Sequence, residues 1–227
     1  MNYLELVRGL RGRVGMQGSG PSSVDSATGA EQDLVNCVRD AWIDIQNYER
    51  PTKKATWKWM RARQTFSTTA LTNTYELSDI FVGTYRFRKW LPHTAYISVS
   101  GTYKPMSYYP DSDYFRYLTI NQSTGSVPYR FSSRASDYAI LIDMPDDAYT
   151  IVIDYQKSPQ LLSSNTDTPE MPEEFHNLIL YKAIEKYSVI AGDPEMYQHY
   201  SKDYAEQWGN LCRNQLESAK ILIRGIA

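Results

Sequence analysis

The sequence predicts an α+β fold, in which a helical bundle from the N- and C-terminal segments carries an inserted central antiparallel β-sandwich or barrel-like domain. Apolar residues recur every three or four positions near both ends of the chain, which is the period of an amphipathic helix. Between these ends, segments such as residues 149–155 alternate with the two-residue period of a strand. We therefore predict two domains, residues 1–63 plus 157–227 and residues 64–156.

The N-terminal segment predicts two helices. The first ends at Gly15, and its apolar residues share one face: Leu4, Val7, Leu10 and Val14. The second begins with a capping box, in which the Thr28 hydroxyl accepts an amide hydrogen and Glu31 reaches back. It ends before Pro51, and its apolar face is formed by Leu34, Val38, Ala41, Trp42 and Ile45. Residues 57–61 predict a further helical turn or the lead-in to a strand.

The central segment is rich in Thr, Tyr, Phe and Val, with frequent turn residues, which favours a set of short antiparallel strands. We predict strands at Gln64–Leu71, Asn73–Leu77, Gly83–Lys89, Tyr96–Ser100, Val127–Phe131, Tyr138–Met144 and Tyr149–Gln156. The aromatic stretch Tyr103–Thr119 predicts a packed loop, and Pro145–Asp147 predicts a turn.

The C-terminal segment predicts two more helices. Pro172 begins one of them, with Glu173 and Glu174 at its favourable N-terminal end. After the break, Asp193 is the expected N-cap and Pro194 the first residue of the last helix. That helix carries an aromatic stripe consisting of Tyr197, Tyr200, Tyr204, Trp208 and Leu211, continued by Gln215. Cys37 and Cys212 fall in helical patterns and are expected to be reduced core residues.

The composition is that of an ordinary soluble globular protein, with 42% hydrophobic and 22% charged residues among 227. No apolar stretch approaches the roughly 20 residues of a membrane helix, and residues 1–6 do not resemble a signal peptide. The net charge of −2 argues against a general nucleic-acid binder. Basic residues outnumber acidic ones by ten to seven in residues 1–65, whereas acidic residues predominate by ten to seven in residues 157–227.

No pattern in the sequence predicts a metal, cofactor or catalytic site. His93, His176 and His199 lack the spacing of paired metal ligands. The loop Gly18–Pro21 lacks the Lys and Ser/Thr of a phosphate-binding loop. The densest carboxylate group, formed by Asp143, Asp146 and Asp147, lies at a predicted turn where Asp is common.

Two compositional features favour contact with other molecules. The first is a basic run without an acidic residue between Glu49 and Glu76, consisting of Arg50, Lys53, Lys54, Lys58, Arg61 and Arg63. It predicts either a solvated helix end or an electrostatic contact with phosphate or an acidic partner. The second is the excess of 19 Tyr over 6 Phe. Because a buried Tyr hydroxyl needs a hydrogen-bond partner, this excess predicts partly hydrated surfaces such as subunit interfaces.

The order of several segments resembles the head-to-tail adaptor (connector, or head-completion) proteins of tailed bacteriophages, especially the short-tailed type. The matching segments are residues 3–11, 18–29, 35–46, 57–60, 145–155, 159–161 and 172–179. The resemblance implies a virion structural protein without catalysis, assembled in the host cytoplasm without contact with a membrane. It also implies a ring, usually of twelve subunits, between the portal protein and the tail nozzle or tail terminator, around the channel for packaged double-stranded DNA.

In such a ring, Lys53, Lys54 and Arg61 are candidates to face the DNA channel or an acidic neighbour. The C-terminal tail offers candidates for binding the portal, since it carries four large aliphatic residues: Ile221, Leu222, Ile223 and Ile226. We expect these residues either to fold back on the helical bundle or to dock on a neighbouring protein.

Two other classes of function stay open at this point. Exposed Tyr and Trp on a small β-sandwich could stack on sugar rings, as in a carbohydrate-binding module or a tail-associated receptor-binding protein. Helices at both ends make this less natural, because such modules are almost entirely β. A hydrolase that uses Asp143, Asp146 and Asp147 would need a cleft, for which the sequence contains no signal.

Overall fold

The computed structural model describes residues 1–48, 56–114 and 125–216. The helices are α1 (Tyr3–Arg13), α2 (Ala30–Asn47), α3 (Leu77–Ile80), α4 (Asn177–Ala191) and α5 (Pro194–Gln215). The strands are β1 (Arg61–Ser67), β2 (Thr74–Tyr75), β3 (Lys89–Trp90), β4 (Tyr96–Val99), β5 (Thr102–Pro105), β6 (Ser107–Tyr108), β7 (Arg130–Ser133), β8 (Ile140–Ile142) and β9 (Thr150–Gln156). Single 3-10 turns lie at Lys58–Met60, Pro92–Thr94 and Glu173–Phe175.

The chain forms two compact units, one from Met1–Met60 with Pro159–Ala227 and one from Arg61–Ser158. We call them the helical unit and the β unit. The predicted α+β class, with helices near both ends and antiparallel-rich sheets in the centre, is confirmed. No described helix is both long enough and apolar enough to cross a membrane.

The helical unit is built around α4, which packs against α1, α2 and α5. Its core contains the predicted apolar faces, and Leu34, Val38 and Trp42 are completely buried there. The Trp57 and Trp59 rings stack with centroids 4.7 Å apart, and the Trp57 indole N–H donates to the Ile45 carbonyl. These contacts hold residues 57–59, the last segment before β1, against the end of α2.

Local capping signals gave mixed results in the helical unit. Asp193 caps α5, because its carboxylate accepts from the amides of Glu195 and Met196, and Pro194 is the first helical residue, as predicted. The capping box predicted at Thr28 is wrong. The N-cap of α2 is Gly29, with a φ of 57° and no side-chain cap, since the chain enters the helix through a left-handed residue that favours glycine.

The β unit contains a five-stranded and a four-stranded sheet that contribute to one apolar cluster. The first sheet has the order β1-β9-β4-β5, and β3 pairs with the end of β9 beside β4. The second has the order β2-β8-β7-β6, in which β6 and β7 are parallel. Neither order closes on itself, so among the described strands the predicted barrel does not form. Ile97, Ile151 and Ile153 point from the five-stranded sheet into the cluster.

The prediction of a loop over residues 103–119 is wrong in its first part, where the chain forms β5 and β6. Ser100 and Gly101 join β4 to β5, and their φ values of 51° and 79° fit the two-residue turn that suits a twisted hairpin. The Ser-Gly pair between two alternating segments was the signal for this hairpin. Of the strand predicted at Gly83–Lys89, only Lys89 lies in a strand.

Candidate functional site

Basic side chains collect at one end of the five-stranded sheet. Arg61 at the start of β1 lies opposite Gln156 at the end of β9, and Lys89 of β3 lies opposite the same Gln156 from the other side. Directly opposed residues point to the same face of a sheet, and neighbouring strands are about 4.8 Å apart. Strand pairing therefore places Arg61 and Lys89 on one face, on either side of β9.

Four further basic residues extend this group. Arg88 precedes β3, and its amide donates to the carbonyl of Gln156 at 2.9 Å. Arg86 donates from Nη1 to the carbonyl of Ser158 at 3.3 Å, just beyond Lys157. We call the group the basic sheet end, and it consists of Arg61, Arg63, Arg86, Arg88, Lys89 and Lys157, with the buried carboxylate of Asp154 on β9 beside it.

Asp154 holds two of these arginines in place. Its Oδ2 accepts from Nε and Nη2 of Arg61 at 2.8 and 2.7 Å, and its Oδ1 accepts from Nε of Arg63 at 2.8 Å. The Asp154 side chain is 4% exposed, whereas that of Arg63 is 69% exposed. One buried carboxylate thus fixes two guanidinium groups.

The protonation of Asp154 follows from these contacts. Burial by itself would raise the pKa of the carboxyl, but the hydrogen bonds from Arg63 and Arg61 outweigh it and lower the pKa below its ordinary value. The same hydrogen bond raises the pKa of Arg63. Asp154 is therefore ionised at neutral pH, and its hydrogen bond with Arg63 is charge-assisted.

The structure describes one of the three predicted channel residues, and it places Arg61 in the basic sheet end. Lys53 and Lys54 lie outside the described residues, as do the portal-binding candidates Ile221, Leu222, Ile223 and Ile226. Lys58, from the same basic run, donates from Nζ to the carbonyl of Asn214 near the end of α5.

Arg86, Arg88, Lys89 and Lys157 were not predicted to belong to the site. The alternation of Arg86, Phe87 and Arg88 indicated basic side chains on one face of an extended segment. What the alternation could not indicate is the pairing of β3 with β9, because these strands are about sixty residues apart in the chain.

The three carboxylates considered for catalysis have separate structural contacts. Asp143 pairs with Nε of Arg130 at 3.1 Å. Asp146 accepts from the Tyr149 hydroxyl at 2.7 Å, and Asp147 accepts from the amide of Ala148. These contacts are those expected of a turn between β8 and β9. Among the described residues, no group of three or more His, Cys, Asp and Glu could hold a metal ion.

The tyrosines that the structure exposes most lie in the β unit: Tyr85, Tyr96, Tyr103, Tyr109, Tyr129 and Tyr138. Two of them, Tyr96 and Tyr103, lie on β4 and β5 of the five-stranded sheet. The single Trp of this unit, Trp90, is buried, so no indole ring is available there for stacking on a sugar.

Comparison with known proteins identifies the chain. The family model described as SU10 adaptor protein matches residues 1–221, and no curated protein matches. The chain belongs to the SU10 adaptor protein family, which comprises head-to-tail adaptors of bacteriophages, and SU10 is a phage of the short-tailed type. The resemblance inferred from the sequence is therefore confirmed, and the protein is a phage structural adaptor.

Proposed function

We propose that this SU10 adaptor protein forms a ring, with twelve subunits, that joins the portal protein of a short-tailed phage to the tail nozzle or tail terminator. The family match over residues 1–221 carries the proposal, because it includes the helical segments as well as the inserted sheets. The exposed tyrosines of the β unit support it, since Tyr is enriched where protein surfaces meet.

The test is a mass measurement of the purified chain alone and after mixing with its portal protein. We expect an assembly whose mass corresponds to twelve 26.2 kDa subunits, bound to the portal. A chain that stays monomeric under both conditions would contradict the ring. A ring of another size would contradict only the number of subunits.

We further propose that the tail binds the portal through Ile221, Leu222, Ile223 and Ile226. Each large aliphatic side chain gains about 1.5–3 kcal/mol when it leaves water, so a groove on a neighbouring protein would hold the tail firmly. Deletion of residues 219–227 should leave the thermal midpoint unchanged and abolish binding to the portal. A truncated chain that is destabilised but still binds would instead assign the tail to its own bundle.

Packaged double-stranded DNA is the proposed transient partner of the ring's channel, with Lys53, Lys54 and Arg61 as the contact residues. Phosphate contacts of Lys and Arg depend strongly on salt. Replacing Lys53 and Lys54 by Gln, with Arg61 kept because it pairs with the buried Asp154, should preserve folding and alter genome retention or ring assembly in a salt-dependent way. Particles that retain DNA and infect normally at every ionic strength would show that these side chains are merely solvated.

A further inference from the structure

The five-stranded sheet has two outer strands, β1 and β5, which differ in how well they can accept another strand. β5 has only four residues and includes Lys104 and Pro105. A short edge, a charged side chain and a proline without an N–H group are features by which proteins prevent an edge strand from pairing with another chain. β1 has seven residues and contains no proline. Of the two edges, β1 is therefore the one suited to strand addition.

The register with β9 decides which backbone groups of β1 point outward. The Thr68 amide donates to the Tyr149 carbonyl at 2.8 Å, directly after the strand. Bonded pairs recur at every second residue of an antiparallel ladder, so the even-numbered residues of β1 bond to β9. Beyond the first residue of the strand, the outward amide and carbonyl groups belong to Arg63, Thr65 and Ser67.

The hydrogen bonds on the other side of β9 agree with this assignment. The Leu91 amide donates to the Asp154 carbonyl at 2.9 Å, and the Arg88 amide donates to the Gln156 carbonyl at 2.9 Å. The even-numbered residues of β9 thus bond toward β3 and away from β1, which leaves its odd-numbered residues for the ladder with β1.

The outward backbone groups of Arg63, Thr65 and Ser67 have no hydrogen-bond partner among the described residues. All three residues are exposed, and the Arg63 side chain is 69% exposed. Because a buried and unpaired N–H or C=O group is costly, these groups face water. An edge strand with such a row of unpaired groups is a template for a further strand.

The edge of β1 is complementary to a second copy of itself in the antiparallel direction. When Thr65 lies opposite Thr65 of a second copy, Arg63 lies opposite Ser67, and Gln64 lies opposite Phe66. This register joins the outward residues of both copies in bonded pairs, each with two backbone hydrogen bonds. No like charges face each other in it, and Thr opposite Thr is a favourable cross-strand pair.

We propose that β1 of one copy pairs with β1 of a second copy, so that the five-stranded sheets of a two-fold dimer continue into each other. Such a contact is isologous, whereas a cyclic ring is built from contacts between unlike surfaces. The dimer therefore goes beyond the proposed ring. It is the state of the chain before it meets the portal, in which the open edge is protected from pairing with other chains.

Two other segments of the chain fit this edge less well. β5 of a second copy offers no amide at Pro105. The C-terminal tail would add Lys220 and Arg224 to an edge that already carries Arg63, and like charges on paired strands repel each other. Self-pairing of β1 avoids both obstacles.

The test removes an outward amide without changing the ladder between β1 and β9. Thr65→Pro deletes an N–H group that β9 does not use, and its ring obstructs an approaching strand. The matched control is Thr65→Val, which keeps the N–H group and suits a strand. Circular dichroism and thermal melting check that both variants fold. Sedimentation velocity over a concentration series measures dimerisation of the purified chain without the portal.

We expect wild type and Thr65→Val to sediment as dimers of the 26.2 kDa chain. Thr65→Pro should dimerise about 10- to 100-fold more weakly, since the central pair loses both of its hydrogen bonds.

A cysteine variant tests the same register without a proline. Bonded pairs have Cα atoms about 5.5 Å apart, which a disulfide can span. With the partly exposed Cys212 replaced by Ser, Thr65→Cys should link two chains under a mild oxidant. The control Thr102→Cys, on the exposed strand β5, should not.

Three results would overturn the contact: wild type that is monomeric at every concentration, a folded Thr65→Pro that dimerises as wild type does, and Thr65→Cys chains that do not link. If wild type is monomeric and Thr65→Pro binds the portal more weakly than Thr65→Val, the edge receives a strand of the portal instead. The ring is tested separately, because Thr65→Pro should still assemble on the portal. Wild type that dimerises but never assembles there would contradict the ring alone.

Discussion

The helical unit and the β unit each enclose an apolar cluster, but they differ in what they leave at the surface. In the helical unit, Tyr3, Trp42 and Trp57 are at most 1% exposed. The described tyrosines with the largest exposure all lie in the β unit. Both units pack aromatic rings in their interiors, but the most exposed of the described tyrosines lie in the β unit.

The difference follows from the geometry of the elements. In α4, neighbours on three sides leave little surface for polar contact, so most of its large side chains are buried. A strand has two faces, and β9 uses both of them. Ile151 and Ile153 enter the core, while Thr150, Val152 and Asp154 point the other way. A sheet can thus contribute to a core and still present a patterned surface.

The largest expected effect is on the helical core. Trp42→Ala should lower the free energy of unfolding by about 3–5 kcal/mol, because it empties a completely buried site between α2 and its neighbours. Urea denaturation followed by circular dichroism checks this. The domain division into residues 1–63 plus 157–227 and residues 64–156 stays a prediction, and two separate transitions in the variant would support it.

The control for this substitution is Val189→Ala in α4, whose side chain is 80% exposed. Its denaturation midpoint should stay close to that of wild type. Equal losses in the two variants would contradict the assignment of packing energy to the aromatic core.

The next effect concerns the buried carboxylate of the β unit. Asp154→Ala should cost about 2–3 kcal/mol, because it removes charge-assisted hydrogen bonds to Arg61 and Arg63. Arg63→Ala should cost much less, since its side chain is largely exposed and Arg61 still pairs with Asp154. If both variants lose the same stability, Asp154 does not organise the pair.

The lowered pKa of Asp154 also predicts that the stability of the fold decreases in acid. Because the pKa of Asp154 is lowered on folding, its contribution is fully present above the ordinary carboxyl pKa of about 3.9 and is lost as the pH falls through the folded value. The difference in the free energy of unfolding between wild type and Asp154→Ala should therefore decrease below about pH 4. An advantage that persists unchanged at pH 2 would contradict the lowered pKa.

A smaller effect is expected from His176 in the helical unit. Burial, foremost, lowers its pKa, and the ring contacts the carbonyl of Met171 and the amino group of Met1. Stability should fall as the pH drops from about 6.5 through the folded value, by less than about 1.4 kcal/mol per pH unit. Thermal midpoints between pH 7.5 and 5 should lose this slope in His176→Gln and keep it in the exposed control His199→Gln.

The smallest effect compares one tyrosine from each unit. Tyr3→Phe should cost about 1 kcal/mol, because the buried hydroxyl donates to the carbonyl of Val35 at 2.8 Å. Tyr103→Phe on the exposed β5 should change stability by less than about 0.5 kcal/mol. Chemical denaturation of both variants checks the difference. A larger loss at Tyr103 would place structural hydrogen bonding where we expect an accessible surface.

The correct predictions concern interactions within a few residues of one another. The cap at Asp193, the strand that became β9 and the apolar face around Trp42 are all local patterns. The prediction of a capping box at Thr28 is wrong although it also rests on a local motif. Its motif was present, but the chain approaches α2 from a direction that requires Gly29 in a left-handed conformation.

The sequence by itself determined the α+β class, the family and most helix positions, because periodicity and capping act over one or two turns of chain. Only the tertiary structure decided the basic sheet end. Arg61, Lys89 and Gln156 come together because β1 and β3 both pair with β9, and such pairing depends on long-range register and not on local propensity.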